Sequence, residues 1–240
     1  RLDPCPPTGV SMRRVATLYR TTVGKKVLMA VSGVVLFSFV FAHMLGNLKM
    51  LFPASDGHFA MDVYAEYLRE IGYPLLPHGG VLWIARLVLL AAVGTHIWSA
   101  LQLAQLSRAA RPSGYQKEDS LSLSYASRTM RWGGVILLLF VIYHLLHFTT
   151  GQAHSSFVAG AVHQNYVNAF QNPGIFLVYL IAQTALCFHL YHGVWSFFQT
   201  LGLSHPKYNH LRRPFAAGFA FVVFVGFLTP PTLVLAGVIS

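Results

Sequence analysis

Five long stretches of this chain carry almost no charge, and they limit what it can fold into more than any other feature of the sequence. They cover residues 27–48, 81–105, 132–150, 174–200 and 215–239. Each is close to the roughly 20 residues that a helix needs to cross the hydrocarbon core of a bilayer. The chain is also 55% hydrophobic and only 10% charged, with a mean hydropathy of +0.53, which lies outside the composition of soluble domains. A water-soluble enzyme is therefore excluded.

The spans must be helices, because a lipid-exposed strand satisfies its backbone polar groups only in a closed barrel. The alternating pattern of a barrel strand is absent from the sequence. The predicted fold class is an all-α integral membrane protein, a bundle of five transmembrane helices. We expect residues 1–26 to form a cytoplasmic N-terminal segment and residues 27–240 to form one five-helix transmembrane domain.

The segment between the first two spans, HFAMDVYAEYLREIGYPLLPHGG, predicts a short amphipathic helix at the outer surface. Its apolar side is expected to comprise Met61, Tyr64, Tyr67, Leu68 and Ile71. Such a helix covers one end of a bundle.

The distribution of basic residues predicts the orientation. With the N-terminus in the cytoplasm, 14 of the 17 Lys and Arg residues lie on the cytoplasmic side and three on the other. This asymmetry is what the positive-inside rule describes for a multi-pass protein of the inner membrane. It also explains the excess of basic over acidic residues without a nucleic-acid partner, and we expect none.

Histidines inside the spans are the candidate functional residues. An ionisable side chain at that depth is costly and is a functional candidate by default. Four different helices supply one or more, and a neutral imidazole inside a bundle needs a partner for its lone pair. The iron of a haem is the most economical partner for two facing imidazoles. These histidines are His43, His96, His144, His147 and His189, with His192 one turn beyond.

Helix depth predicts which of these histidines face each other, with a rise of about 1.5 Å per residue. His43 and His144 lie about 24 Å and about 18 Å from the cytoplasmic ends of their spans, in the outer half of the membrane. His96 and His189 each lie about 22 Å from their outer ends, in the inner half. One pair at each level is the arrangement expected of two stacked haems.

Spacing alone leaves two choices open, because His147 and His192 each lie one turn from a candidate ligand. Small residues recur on the proposed haem-facing sides and would leave space for a porphyrin. These are Ala85, Ala92, Gly133, Ala182 and Ala185. Arg86, near the outer start of the second span, is predicted to pair with an outer haem propionate, with snorkelling to the surface as the alternative.

Four stretches on successive spans carry a family resemblance: FVFAHMLGN, VGTHIWSALQL, VIYHLLHFTTG and FHLYHGVWSFFQTLGLSHPKY. They resemble the two-haem cytochrome b membrane anchors of succinate:quinone oxidoreductases and fumarate reductases, most specifically in the H-x-x-x-G-x-W pattern of His189, Gly193 and Trp195. The resemblance implies one five-helix chain that binds two haems b. The axial iron ligands that it implies are His43 and His144 on the outer haem, and His96 and His189 on the inner haem.

The same resemblance implies partners in the bacterial cytoplasmic membrane: a flavoprotein and an iron–sulfur subunit on the cytoplasmic face. Electrons would pass from the inner to the outer haem and then to a quinone, usually menaquinone. The chain carries no G-x-G-x-x-G fingerprint, and its two cysteines cannot ligate a cluster. The oxidation of succinate is therefore expected in the partner subunits.

Reduction of a quinone requires a proton donor beside its ring, and Glu66 is the predicted donor, with Arg69 and Glu70 close by. The alternative is a set of solvated charges on a surface helix. Two other functions compete with the main hypothesis: a haem b anchor of another respiratory oxidoreductase, and a haem-free anchor or transporter lined by histidines. A transporter is expected to show acids inside its spans, and these spans contain none.

Overall fold

The computed structural model describes residues 21–53, 57–110, 121–203 and 205–240, without the side chains of 121–129. Its helices, in chain order, are α1 (Thr22–Asn47), α2 (Ala60–Glu70), α3 (Gly80–Ala109), α4 (Leu121–His144), α5 (Val162–Phe170), α6 (Pro173–Thr200) and α7 (Arg212–Leu235). Short 3-10 turns occupy Leu48–Leu51 and Asn209–Leu211, and a π turn extends α4 over Leu145–Thr149. The predicted all-α membrane bundle is confirmed.

Five of the described helical segments are long and apolar enough to cross a membrane, as the sequence predicts. They are Thr22–Leu51, Gly80–Ala109, Met130–Thr149, Pro173–Thr200 and Asn209–Leu235. The first begins before the predicted residue 27 and the last ends before the predicted residue 239. Residues 1–20, most of the expected N-terminal segment 1–26, lie outside the described residues.

Side-chain caps fix the starts of two spans. The Thr21 hydroxyl accepts the backbone N–H of Gly24 at 3.0 Å and begins α1. The Asn172 side chain accepts the N–H of Gly174 at 2.8 Å, and Pro173 follows at the first helical position, where its missing N–H costs nothing. The boundaries of α1 and α6 are therefore set by local chemistry as well as by hydropathy.

The bundle packs through small residues. The closest helix pairs are α6 with α7, α1 with α3, and α4 with α6. Ala216 and Ala220 of α7 are completely buried, and Gly226 on the same helix receives the side chain of Met44 from α1. Small side chains let the backbones approach, which is how helices associate where lipid is as apolar as the core.

Two short helices close the end of the bundle opposite the start of α1. We call α2, α5 and the loop 150–161 the cap, and this end of the bundle the cap end. The backbone N–H of His163 on α5 donates to the Asp62 carboxylate on α2 at 2.9 Å. The rings of Phe59 and His163 stack with centroids 3.7 Å apart. These contacts join the two short helices to each other.

The predicted helix between the first two spans is present as α2, but its buried side is narrower than expected. Met61 is buried, and Tyr64, Leu68 and Ile71 are half-buried. Tyr67, on the same side of the helix, is 63% exposed. The sequence analysis did not predict α5, although six of its nine residues are buried. Its apolar side packs on the cap end of the bundle, beside Met50, Tyr179 and Val234.

The contact between Gly226 and Met44 predicts a difference between two glycines of α7. A Cβ at Gly226 would overlap the Met44 side chain, whereas a Cβ at Gly218 would meet no atom within 4 Å. We expect Gly226→Leu to destabilise the fold by about 1–3 kcal/mol through overpacking, and Gly218→Leu to leave it nearly unchanged. The measurement is the thermal unfolding midpoint of each variant in the purified complex. Equal midpoints for the two variants would contradict this packing.

Candidate functional site

Four imidazoles from four helices meet as two couples. The ring centroids of His43 on α1 and His144 on α4 lie 5.9 Å apart. Those of His96 on α3 and His189 on α6 lie 6.1 Å apart. We call the first the cap-side couple and the second, which lies nearer the start of α1, the N-side couple. Helix depth predicts the same two couples.

The couples lie at two separate levels of the bundle. On α1, the Ser32 hydroxyl is 3.4 Å from Nδ1 of His96, and His43 follows eleven residues later, about 16 Å along the helix. On α6, the Tyr179 hydroxyl is 3.2 Å from Nδ1 of His144, and His189 follows ten residues later, about 15 Å along the helix. Two helices therefore give the same spacing between the levels.

The separation within each couple fits one metal ion held between two imidazoles. A metal-bound ring nitrogen lies about 2 Å from the metal and about 1 Å from the centre of its own ring, so two opposed imidazoles have centroids about 6 Å apart. Two protein ligands are what a haem iron takes when both of its axial positions are filled by side chains. In the ranges that the structure describes, no third His, Cys, Asp or Glu joins either couple as a metal ligand.

The helices that carry each couple leave room for a flat group. Among the described residues, neither α1 with α4 nor α3 with α6 is a closely packed pair. A Cβ added at Gly193, one turn after His189 on the same side of α6, would meet no atom within 4 Å. There is therefore open space next to His189, on the side where a porphyrin would lie.

In His96 and His144, the contacts of Nδ1 show which ring nitrogen is left to bind a metal. Ser32 and Tyr179 lie at Nδ1 of His96 and His144, so Nε2 is left in both rings. Nδ1 of His189 is buried and has no partner among the described residues. Metal-bound imidazoles usually donate the other N–H to an acceptor, as the first two rings can.

Aromatic rings surround the cap-side couple. Phe39 stacks on His43 at 5.3 Å, and Phe227 lies 5.8 Å from the same ring. Phe140 and Phe148 lie 5.7 and 5.8 Å from the ring of His144. These rings surround part of the couple with apolar surface.

The two neighbouring histidines take no part in either couple. His147 is fully buried, with Nδ1 at 2.9 Å from the Tyr179 hydroxyl and its ring stacked on His154 at 4.9 Å. His192 packs edge-on against Trp195 at 5.8 Å. The rings that face across the bundle are thus those of His144 and His189, the two that the family resemblance implies as ligands.

The two charged candidates lie on the protein surface. The guanidinium of Arg86 lies over the ring of Trp83, one turn earlier on α3, at 4.7 Å from its centre. Glu66 is 64% exposed and forms an ion pair with Arg69 at 3.0 Å. The predicted role of Arg86 toward a propionate and that of Glu66 toward a quinone both stay predictions.

Tyr179 and Ser32 are the functional candidates that sequence reasoning missed. Both are polar residues inside apolar spans, which is a signal of function. Tyr179 lies ten residues before His189 on the same helix, at the level of the other couple. A search of the spans for hydroxyls at the depth of each histidine would have found it.

The model of one protein family matches residues 119–229, and its description is the succinate dehydrogenase/fumarate reductase transmembrane subunit. Over these residues the chain is similar to that family. The match includes His144 and His189, one member of each couple, and begins after His43 and His96. No curated protein and no solved structure matches the chain. The five long apolar helices and this similarity together indicate a multi-pass membrane protein.

Acidification is expected to loosen the cap. Burial lowers the pKa of His163 below its ordinary value of 6.5, and the charge of Asp62 offsets part of that shift. The unfolded cap then binds more protons than the folded one at low pH, so the stability from His163 is complete above pH 6.5 and is lost as the pH falls below it.

Hydrogen exchange of the α5 amides, corrected for intrinsic rates, measures this effect above and below pH 6.5. We expect protection to fall on acidification in the wild type and to change much less in His163→Gln. An equal loss of protection in the variant would assign the pH dependence to another group.

Proposed function

We propose that this chain is the two-haem anchor of a succinate:quinone oxidoreductase or quinol:fumarate reductase. His43 and His144 bind the iron of one haem b, and His96 and His189 bind the iron of the other. The observation that carries this proposal is the pair of imidazole couples, each with centroids about 6 Å apart as a shared metal requires. The chain conducts electrons from an iron–sulfur subunit, through the N-side and then the cap-side level, to menaquinone or another quinone.

Each haem b supplies a carrier for one electron at a time, and the protein supplies the binding and the surroundings. The four histidines would hold the two haem irons. Ser32 and Tyr179 hold two of those rings through Nδ1 and keep Nε2 directed away from their own hydroxyls. The phenylalanines around the cap-side couple exclude water and lower the local dielectric constant, which favours a neutral ligand.

The basic residues support an orientation with the N-terminus in the cytoplasm of a bacterium. Lys25, Lys26, Arg108, Lys207 and Arg213 all lie near the ends of spans at the side where α1 begins. By the positive-inside rule that side is cytoplasmic. The iron–sulfur and flavoprotein subunits dock there, next to the N-side couple, and the cap lies at the outer surface.

The quinone is reduced near the cap-side couple, at the outer end of the electron path. Glu66 lies on α2, a helix of the cap, and its carboxylate is exposed to the protons of the outer solvent. The Arg69 guanidinium holds that carboxylate in one place. We assign Glu66 as the group that delivers a proton to the quinone, as general acid catalysis requires.

The ligand assignment predicts a pairwise loss of haem. We expect His43→Ala and His144→Ala each to remove the same haem, and His96→Ala and His189→Ala each to remove the other, because each iron loses one of its two protein ligands. Reduced-minus-oxidised spectra and redox titration of the membrane-bound complex identify the haem that remains. His78→Ala, at an exposed histidine of the loop after α2, is the control and should keep both. A wild-type complex without haem, or losses that do not pair in this way, would contradict the assignment.

The role of Glu66 predicts a defect in quinone reduction alone. Glu66→Gln should slow the succinate-dependent reduction of a menaquinone analogue by at least about tenfold, given that a positioned proton donor contributes about 10²–10⁴-fold. Both haems should remain in the spectrum. Glu70→Gln on the same helix, whose carboxylate pairs with His78, is the matched control. Equal rates in the two variants would remove Glu66 from this role.

A further inference from the structure

The Tyr179 hydroxyl joins two histidines at the cap-side level. It lies 3.2 Å from Nδ1 of His144 and 2.9 Å from Nδ1 of His147. The Tyr179 side chain is buried. Its one proton can go to only one of these nitrogens, so the hydroxyl must accept from the other.

The proposed ligation of His144 decides the direction of both hydrogen bonds. A neutral imidazole that binds iron through Nε2 carries its proton on Nδ1, and that N–H must find an acceptor. The nearby acceptor is the Tyr179 oxygen. The Tyr179 proton is then donated to Nδ1 of His147, whose buried Nε2 has no partner among the described residues.

We propose that Tyr179 is a positioning residue that acts through His144 and sets the potential of the cap-side haem. By accepting the Nδ1 proton it fixes the tautomer and the ring orientation of His144 and makes this ligand more basic. A more basic axial ligand stabilises the oxidised iron, so the hydrogen bond lowers the midpoint potential. The bond from Tyr179 to His147 polarises the hydroxyl and strengthens it as an acceptor. This inference rests on the proposed function.

The Tyr179 hydroxyl has no counterpart at the N-side couple. The Ser32 hydroxyl is 3.4 Å from Nδ1 of His96, which is long for a hydrogen bond, and it donates its own proton to the Leu28 carbonyl at 2.7 Å. The partner of the His96 ring is instead the Met29 backbone of α1. Nδ1 of His189 has no partner in the described part of the chain. Removing the Tyr179 hydroxyl should therefore change the midpoint potential of the cap-side haem and not that of the N-side haem.

Tyr179 also packs in a cluster of aromatic rings, so its hydroxyl must be tested apart from its ring. Its centroid lies 5.0 Å from that of Phe140 and 4.9 Å from that of Phe170. Tyr179→Phe keeps this packing and removes only the oxygen. Tyr166→Phe is the matched control, because Tyr166 is equally buried and packs on Phe148 and Phe170 in the same cluster.

The experiment is a redox titration of the membrane-bound complex, with electron paramagnetic resonance of the two oxidised haems. The cap-side haem is the one that His43→Ala removes. We expect Tyr179→Phe to keep both haems, to raise the midpoint potential of the cap-side haem and to shift its resonance, and to leave the N-side haem unchanged. Tyr166→Phe should leave the potentials and the resonances of both haems unchanged.

Loss of the cap-side haem in Tyr179→Phe would overturn the proposal, since the hydroxyl would then retain the haem and not set its potential. Unchanged potentials in Tyr179→Phe, or the same shift or loss in Tyr166→Phe, would overturn it. A wild-type complex without haem would instead overturn the proposed function, and the two failures are therefore distinct.

Discussion

Histidine in a bilayer must stay neutral and must be partnered, and this constraint organises the whole bundle. A charged imidazole is too costly at that depth, and an unpaired ring nitrogen in a low-dielectric interior also costs free energy. The chain meets the requirement by bringing rings from four spans together as His43 with His144 and His96 with His189. Each couple joins helices that are not closely packed among the described residues, and the space between them follows from that separation.

The two levels differ in how their rings are held. At the cap side, phenylalanine rings enclose the couple, and a tyrosine hydroxyl links His144 to His147. At the N-side level, the Ser32 hydroxyl lies 3.4 Å from His96 and donates to its own helix backbone. Two similar imidazole couples thus lie in unequal surroundings. On the proposed ligation, this difference would give two identical cofactors different potentials.

The cap shows how short helices persist at the end of a bundle. Helices of the length of α2 and α5 are marginal by themselves in water. They are stabilised here by burial on the bundle end and by each other, through the bond from His163 to Asp62 and the stacking of Phe59 on His163. The cap also covers the side of the bundle on which the cap-side couple lies, so the fold encloses that level.

The sequence by itself determined the number of spans and the level of each histidine. Both depend only on distance across the membrane, since a helix rises by a fixed amount per residue and the bilayer has a fixed thickness. The rotation of each helix about its axis was decided by the tertiary structure. In a membrane the lipid-facing and the packed sides are both apolar, so hydropathy does not distinguish them. That is why residue spacing could not separate His144 from His147, why Tyr179 and α5 were missed, and why Tyr67 is exposed. Which side chains meet across the bundle is a property of packing in three dimensions.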